Sequence, residues 1–130
     1  MPAPADHEAF QYAIWRVVPS VPRGERLNVG VVLFCRRLRF LDAIVVLDDQ
    51  RLRALDPELD VPALRAHLDG LVRIARGEAD AGPVAALEPS ERFGFLTAPS
   101  STMVQPSDVH VGLCRDAPQI ELARLADELL

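Results

Sequence analysis

Between residues 27 and 35 the chain reads Leu27-Asn28-Val29-Gly30-Val31-Val32-Leu33-Phe34-Cys35. A run this apolar and β-branched predicts a strand, and one placed centrally in its sheet with neighbours on both sides. Strand alternation puts Leu27, Val29, Val31, Leu33 and Cys35 on one wholly apolar face, to be covered by helices. Asn28, Gly30, Val32 and Phe34 take the other face, whose first half is polar and then bare. A glycine inside a central strand weakens it and marks a close approach by another group. Asn28 and Gly30 are therefore the first place to look for a site, and Gly30→Val is expected to damage the protein by crowding whatever approaches there.

The rest of the chain builds around this strand. Gln11 to Val18 alternate and are rich in β-formers, which predicts a first strand. Pro19, Pro22 and the Arg23-Gly24 turn close it. Arg36-Arg37 reads as a hairpin tip and Leu38 to Leu47 as a third strand, with Leu41, Ala43, Val45 and Leu47 on one face. Short connections make the three an antiparallel meander, because parallel pairing needs long crossovers. Asp48 or Asp49 is expected to cap a short helix through Leu55. Asp60 caps a longer one with Pro62 in its first turn. In that longer helix Val61, Leu64, Leu68, Leu71, Val72 and Ala75 form an amphipathic stripe, and Gly77 ends it as a left-handed cap.

Residues 78 to 89 read as an acidic loop. Ser90 to Leu96 read as one helical turn anchored by Phe93 and Phe95. Ser100 to Gln105 and Val109 to Cys114 are candidate strands split by Pro106. Asp116 with Pro118 opens a last helix along Leu122, Leu125, Ala126 and Leu129. The fold class is α+β: an antiparallel sheet of four or five strands, starting with a three-stranded meander, packed with helices and closed by a C-terminal helix. Residues 1 to 8 are expected to be a disordered tail and 9 to 130 a single domain.

All 14 basic residues are arginine, and the net charge is −5. With abundant Ala, Leu, Val, Asp and Pro, the arginine bias reads as codon usage in a GC-rich bacterial genome. The negative balance argues against non-specific nucleic-acid binding, which needs phosphate neutralisation. The charge is uneven: residues 16–76 hold 11 arginines against 8 acidic residues, and the remainder holds 3 against 11. One end can therefore attract an anion. No apolar run reaches the roughly 20 residues of a membrane span. The acidic start has no signal-peptide pattern, so a cytoplasmic location is expected. Cys35 and Cys114 lie far apart in sequence and read as reduced, buried thiols not bonded to each other.

One polar set carries whatever chemistry the chain has: Arg16, Arg23, Glu25, Asn28, Gly30, Ser101, Thr102, Gln105 and His110. Arginine offers a fork of donors suited to phosphate or carboxylate, Asn and Gln offer donors and acceptors, and the Ser-Ser-Thr run adds hydroxyls. A plainer reading stands beside it. Arg23 and Glu25 are then a loop ion pair, Asn28 satisfies a turn, and the hydroxyls mark a strand entry. His110 is the weak candidate for a general acid or base, since an imidazole titrates near neutrality, but it has no partner at a telling spacing. Arg16, Asn28 and at least one of Gln105 and His110 are expected on one side of the sheet. His67 beside the helix stripe and His7 in the tail complete three scattered histidines, which make no zinc set. Arg36, Arg37 and Arg39 at the hairpin read as a solubilising tip. No phosphate-binding glycine loop, nucleophile elbow or kinase signature is present, so no cofactor is implied.

Two separated blocks carry a family resemblance. The first is Phe10-Gln11-Tyr12-Ala13, then Arg16-Val17-Val18-Pro19, Glu25 and Asn28-Val29-Gly30-Val31-Val32-Leu33-Phe34. The second is Ala98-Pro99-Ser100-Ser101-Thr102-Met103-Val104-Gln105-Pro106-Ser107-Asp108-Val109-His110-Val111-Gly112. With Asp49 to Pro57 between them, the chain resembles, from residue 10 to about 129, a bacterial family known only as domain of unknown function 3037. The resemblance implies no activity and supplies no catalytic residues. Members are small proteins often encoded beside a HipA-like kinase, which implies a partner or regulator of such a kinase. Two functions follow as expectations: a non-enzymatic interaction or regulatory module with a protein partner, or a small enzyme or ligand-binding protein for a phosphate-bearing substrate.

Overall fold

The computed structural model describes residues 8–100 and 102–130. The expected tail, His7 and Ser101 fall outside the described residues, except for Glu8. Strands β1 (Ala9–Val17), β2 (Leu27–Cys35) and β3 (Phe40–Val45) form the meander. Helices α1 (Asp49–Leu55) and α2 (Val61–Ala75) follow, then a 3₁₀ turn at Val84–Ala86 and α3 (Pro89–Leu96). Strands β4 (Val104–Pro106) and β5 (His110–Leu113) and helix α4 (Pro118–Leu129) complete the described chain. Every pairing is antiparallel. The lateral order is β3-β2-β1-β4, and β5 pairs with the other half of β1. β4 and β5 thus share one edge of the sheet, and β2 is central as expected.

Side-chain chemistry sets the helix ends. Asp48 accepts the Gln50 and Arg51 amides to start α1, and Asp60 accepts the Ala63 amide to start α2. At the end of α2 the Gly77 amide reaches the Ile74 carbonyl and the Glu78 amide reaches that of Arg73, with Gly77 at φ +66°. This double closure needs a left-handed residue, which glycine supplies without steric cost.

The alternation expected of β2 is broken. Trp15 pairs with Gly30 while Arg16 pairs with Asn28, so Val29 is an extra residue in β2. Such a bulge reverses the facing of everything beyond it. Val29, Val32 and Phe34 pack with Ala13, Trp15 and Val17 beneath α1, α2 and α3. Val31, Leu33 and Cys35 pack with Phe10 and Cys114 beneath α4. Helices therefore cover both faces of the sheet. The predicted face holding both Val29 and Val31 does not exist, nor does one holding both Asn28 and Gly30.

Four other expectations shift. The hairpin tip is a four-residue turn, Arg36 to Arg39, with Arg39 at φ +50°, so β3 starts at Phe40 rather than Leu38. The two strands are divided here as expected, but Pro106 is the last residue of β4 rather than the break, which falls at residues 107–109. The proline is tolerated because the neighbouring Ser107 amide bonds inward to Ile14 and the nitrogen of Pro106 faces the open edge. α3 runs two turns and buries Phe93, while Phe95 is 51% exposed. Residues two apart on a helix point away from each other, so both cannot anchor it. α4 has no side-chain cap, because Asp116 instead accepts from Arg124 at 2.8 Å. The buried Glu121 carboxylate takes up the Arg115 and Asp116 amides.

Candidate functional site

Arg16 sits at a crossing point. It lies opposite Asn28 on one neighbouring strand and Gln105 on the other. Four positions earlier in β1, Tyr12 lies opposite His110 of β5. Cross-strand partners share a face, so Arg16, Asn28, Gln105 and His110 all lie on the side of the sheet that α4 packs against. The expected grouping is present. The facing of Asn28 is a product of the bulge at Val29.

Some of their polar groups are engaged within the chain. Arg16 Nε donates to Asn28 Oδ1 at 3.3 Å, and Asn28 Nδ2 donates to the Leu129 carbonyl at 3.2 Å at the end of α4. Gln105 Nε2 donates to the Thr102 carbonyl at 3.0 Å. His110 is exposed, its ring stacked on Tyr12 with centroids 5.2 Å apart. Partial burial pushes the Arg16 guanidinium below its ordinary pKa. The nearby Arg26 adds to this, and Asp108 opposes it.

The remaining predicted residues lie elsewhere. Gly30 opposes Trp15, and a Cβ at residue 30 would stand 2.7 Å from Trp15 Cε3. The group that approaches this glycine is an indole ring, fixed by a hydrogen bond from Trp15 Nε1 to the Leu96 carbonyl at 3.0 Å. Arg23 and Glu25 form an exposed ion pair at 2.7 Å, in a cleft of about 340 Å³ with Pro19, Ser20 and the Ala54–Pro57 corner. Thr102 lines a separate groove beside α2.

That groove escaped the sequence reading. One part, about 310 Å³, lies between His67 and Leu71 of α2 and Phe95, Leu96, Ala98 and Pro99. The adjoining part, about 240 Å³, adds Asp60, Ala63, Leu64 and Met103. Its sequence signal was the two-residue spacing of Phe93 and Phe95, which on a helix leaves one of the rings facing outward. Cys35 and Cys114 are free and buried in the core under α4. Burial pushes the Cys114 thiol up to about 11, with the neighbouring Cys35 contributing. Among the described residues no three His, Cys, Asp or Glu side chains are grouped to hold a metal ion. No described helix is long and apolar enough to cross a membrane.

A family model described as "Protein of unknown function (DUF3037)" matches residues 12–130. The chain belongs to this family. No curated protein and no solved structure matches it. The DUF3037 match starts inside β1 and takes in all the other elements, so Arg16, Asn28, Gln105 and His110, the Arg23–Glu25 cleft and the groove beside α2 all lie within it.

Proposed function

We propose that this DUF3037 protein is a non-enzymatic interaction module. The observation that carries the reading is that the polar set of Arg16, Asn28, Gln105 and His110 lines none of the clefts described above. Arg16 bonds through Nε to Asn28, Asn28 bonds to the end of α4, and Gln105 bonds to its own loop. A catalytic or ligand-binding set keeps its donors free and convergent on a cavity. The open clefts formed by Arg23, Glu25 and the groove residues include none of Arg16, Asn28, Gln105 and His110. Phe95 and Met103 instead offer exposed apolar surface beside the groove. Exposed aromatic and methionine side chains over an apolar cleft suit a protein partner. The family resemblance supplies a HipA-like kinase as the partner to try first.

The test is direct titration of the purified protein with a HipA-like kinase from the same organism. Phe95→Asp and Met103→Asp are expected to weaken binding at unchanged melting temperature, and Arg16→Ala and His110→Ala to leave it intact. Failure of the wild-type pair to bind would remove this partner. Loss of binding only in the polar-face variants would move the contact to the α4 side.

One observation favours a second reading, a phosphate-bearing ligand. Arg16 and Arg26 are close enough to repel, and Arg16 is partly desolvated as well. An anion between them would relieve both costs. Titration with inorganic phosphate tests this: a saturable rise in melting temperature that Arg16→Ala abolishes would support it, and no rise would reject it.

A further inference from the structure

The two edges of the sheet are finished differently. At the β3 edge the Asp42 carboxylate folds back onto the outward-facing Ala43 amide at 2.7 Å, and Arg76 holds that carboxylate at 2.9 Å. At the opposite edge, β4 presents Pro106, which has no N–H to offer. Both are recognised ways of keeping a sheet edge from pairing with another chain. β5 has neither. The Cys114 amide donates inward to the Glu8 carbonyl at 2.8 Å, and Gly112 and His110 share that orientation along the ladder with β1. The N–H and C=O groups of Val111 and Leu113 therefore point outward, and no described residue pairs with them.

The side chains on this strand are unprotected too. Val111 is 70% exposed, Leu113 61% and Val109 40%. Val111 and Leu113 alternate along the strand and so share one face, and Val109 stands immediately before it at the next alternate position. The helices pack chiefly over β2 and β3, leaving this corner of the sheet bare. A free backbone edge and an apolar stripe on the same short strand are the two ingredients of strand addition.

We propose that β5 is the interface of a two-fold dimer, in which β5 of a second copy pairs antiparallel with it about Val111. Self-complementarity argues for a second copy as the occupant. A two-fold axis normal to the sheet must pass midway between the two copies of one residue, because opposing residues share a face. With the axis at Val111, the two Val111 side chains meet. Val109 of each copy then faces Leu113 of the other, so six apolar side chains form one stripe. His110 faces Gly112 of the second copy, which leaves room for the imidazole. The strand is flanked by Asp108 before it and Arg115 after it. Antiparallel pairing brings the acidic end of each copy beside the basic end of the other, whereas parallel pairing would set like charges together. The dimer extends one antiparallel sheet across both copies through residues that line no part of the groove beside α2. It is thus independent of the interaction reading above.

Sedimentation velocity over a concentration series tests the proposal. The wild type is expected to show a reversible monomer–dimer equilibrium. Val109→Asp with Leu113→Asp places two carboxylates face to face on each side of the axis and is expected to weaken dimerisation by about tenfold or more. Val109→Asp with Leu113→Arg places Asp against Arg across the same axis and is expected to retain the dimer. Val111→Pro removes an outward N–H and the side chain at the axis but no hydrogen bond within the chain, and is expected to be monomeric, with circular dichroism confirming the fold of each variant. A wild type that stays monomeric throughout overturns the proposal. So does an Asp/Asp variant that dimerises as well as the wild type. A monomeric wild type whose β5 amides become protected only when a foreign strand is added would assign the edge to another protein and reject the second copy.

Discussion

Gly30 is the residue where sequence and structure agree on the fact and differ on the cause. The sequence required something to stand close to it, and the structure supplies Trp15. Gly30→Ala puts a methyl 2.7 Å from the ring, against an indole that cannot swing away without breaking its bond to Leu96. The expected cost is about 1–3 kcal/mol, read by denaturant titration, with Gly30→Val worse. Wild-type stability in Gly30→Ala would mean that the ring shifts freely. Cys114 gives a second residue-scale expectation. Its thiol stays neutral in the folded protein up to about 11, against an ordinary 9.0. Unfolding frees it to ionise, so between those values the unfolded state gives up a proton that the folded state keeps. Stability from this source is full below the lower value and is lost as pH rises through the upper one. The wild type should therefore lose stability between about pH 9 and about pH 11 more steeply than Cys114→Ala. Equal slopes would show that the thiol ionises as easily folded as unfolded.

At the scale of elements, β2 was legible to the residue because its apolar run is bounded by charge at both ends. Its facing was not legible. One unpaired residue, Val29, turns the strand over, and nothing in its composition distinguishes it from Val31 or Val32. The bulge belongs to the pairing of two strands, a relation that one strand's sequence does not contain. Asn28 joined Arg16 because both polar residues lie at the same end of the hairpin, beyond the bulge, while Gly30 was carried to the other face. Helix starts were read more securely where a cap acts locally. Asp60→Ala orphans the Ala63 amide and is expected to cost about 1 kcal/mol. Asp116 occupies a similar position in sequence before α4 but caps nothing. Asp116→Ala removes only an exposed pair with Arg124 and should cost less, about 0–1 kcal/mol. Thermal denaturation of the two variants side by side checks the order, and a larger loss in Asp116→Ala would reverse this account of the two starts.

Across the whole molecule, the sheet is a partition shared by two cores. Leu68 of α2 is fully buried on one side and Leu122 of α4 on the other, yet each side leans on the same strands, β1 and β2. Neither core can loosen without exposing backbone that also supports its neighbour, so the two should melt together. The chain carries its own reporters. Trp15, its one tryptophan, lies in the core beneath α1, α2 and α3, while both cysteines lie beneath α4. In a urea titration, tryptophan emission and thiol accessibility should follow a single midpoint. Leu68→Ala and Leu122→Ala should each lower stability by about 2–5 kcal/mol, and both reporters should move together in both variants. If Leu122→Ala released the thiols at low urea while Trp15 kept its native emission, α4 would be an independently detachable layer. The polar set it covers would then open with it, returning Arg16 and Asn28 to the list of groups available to a ligand.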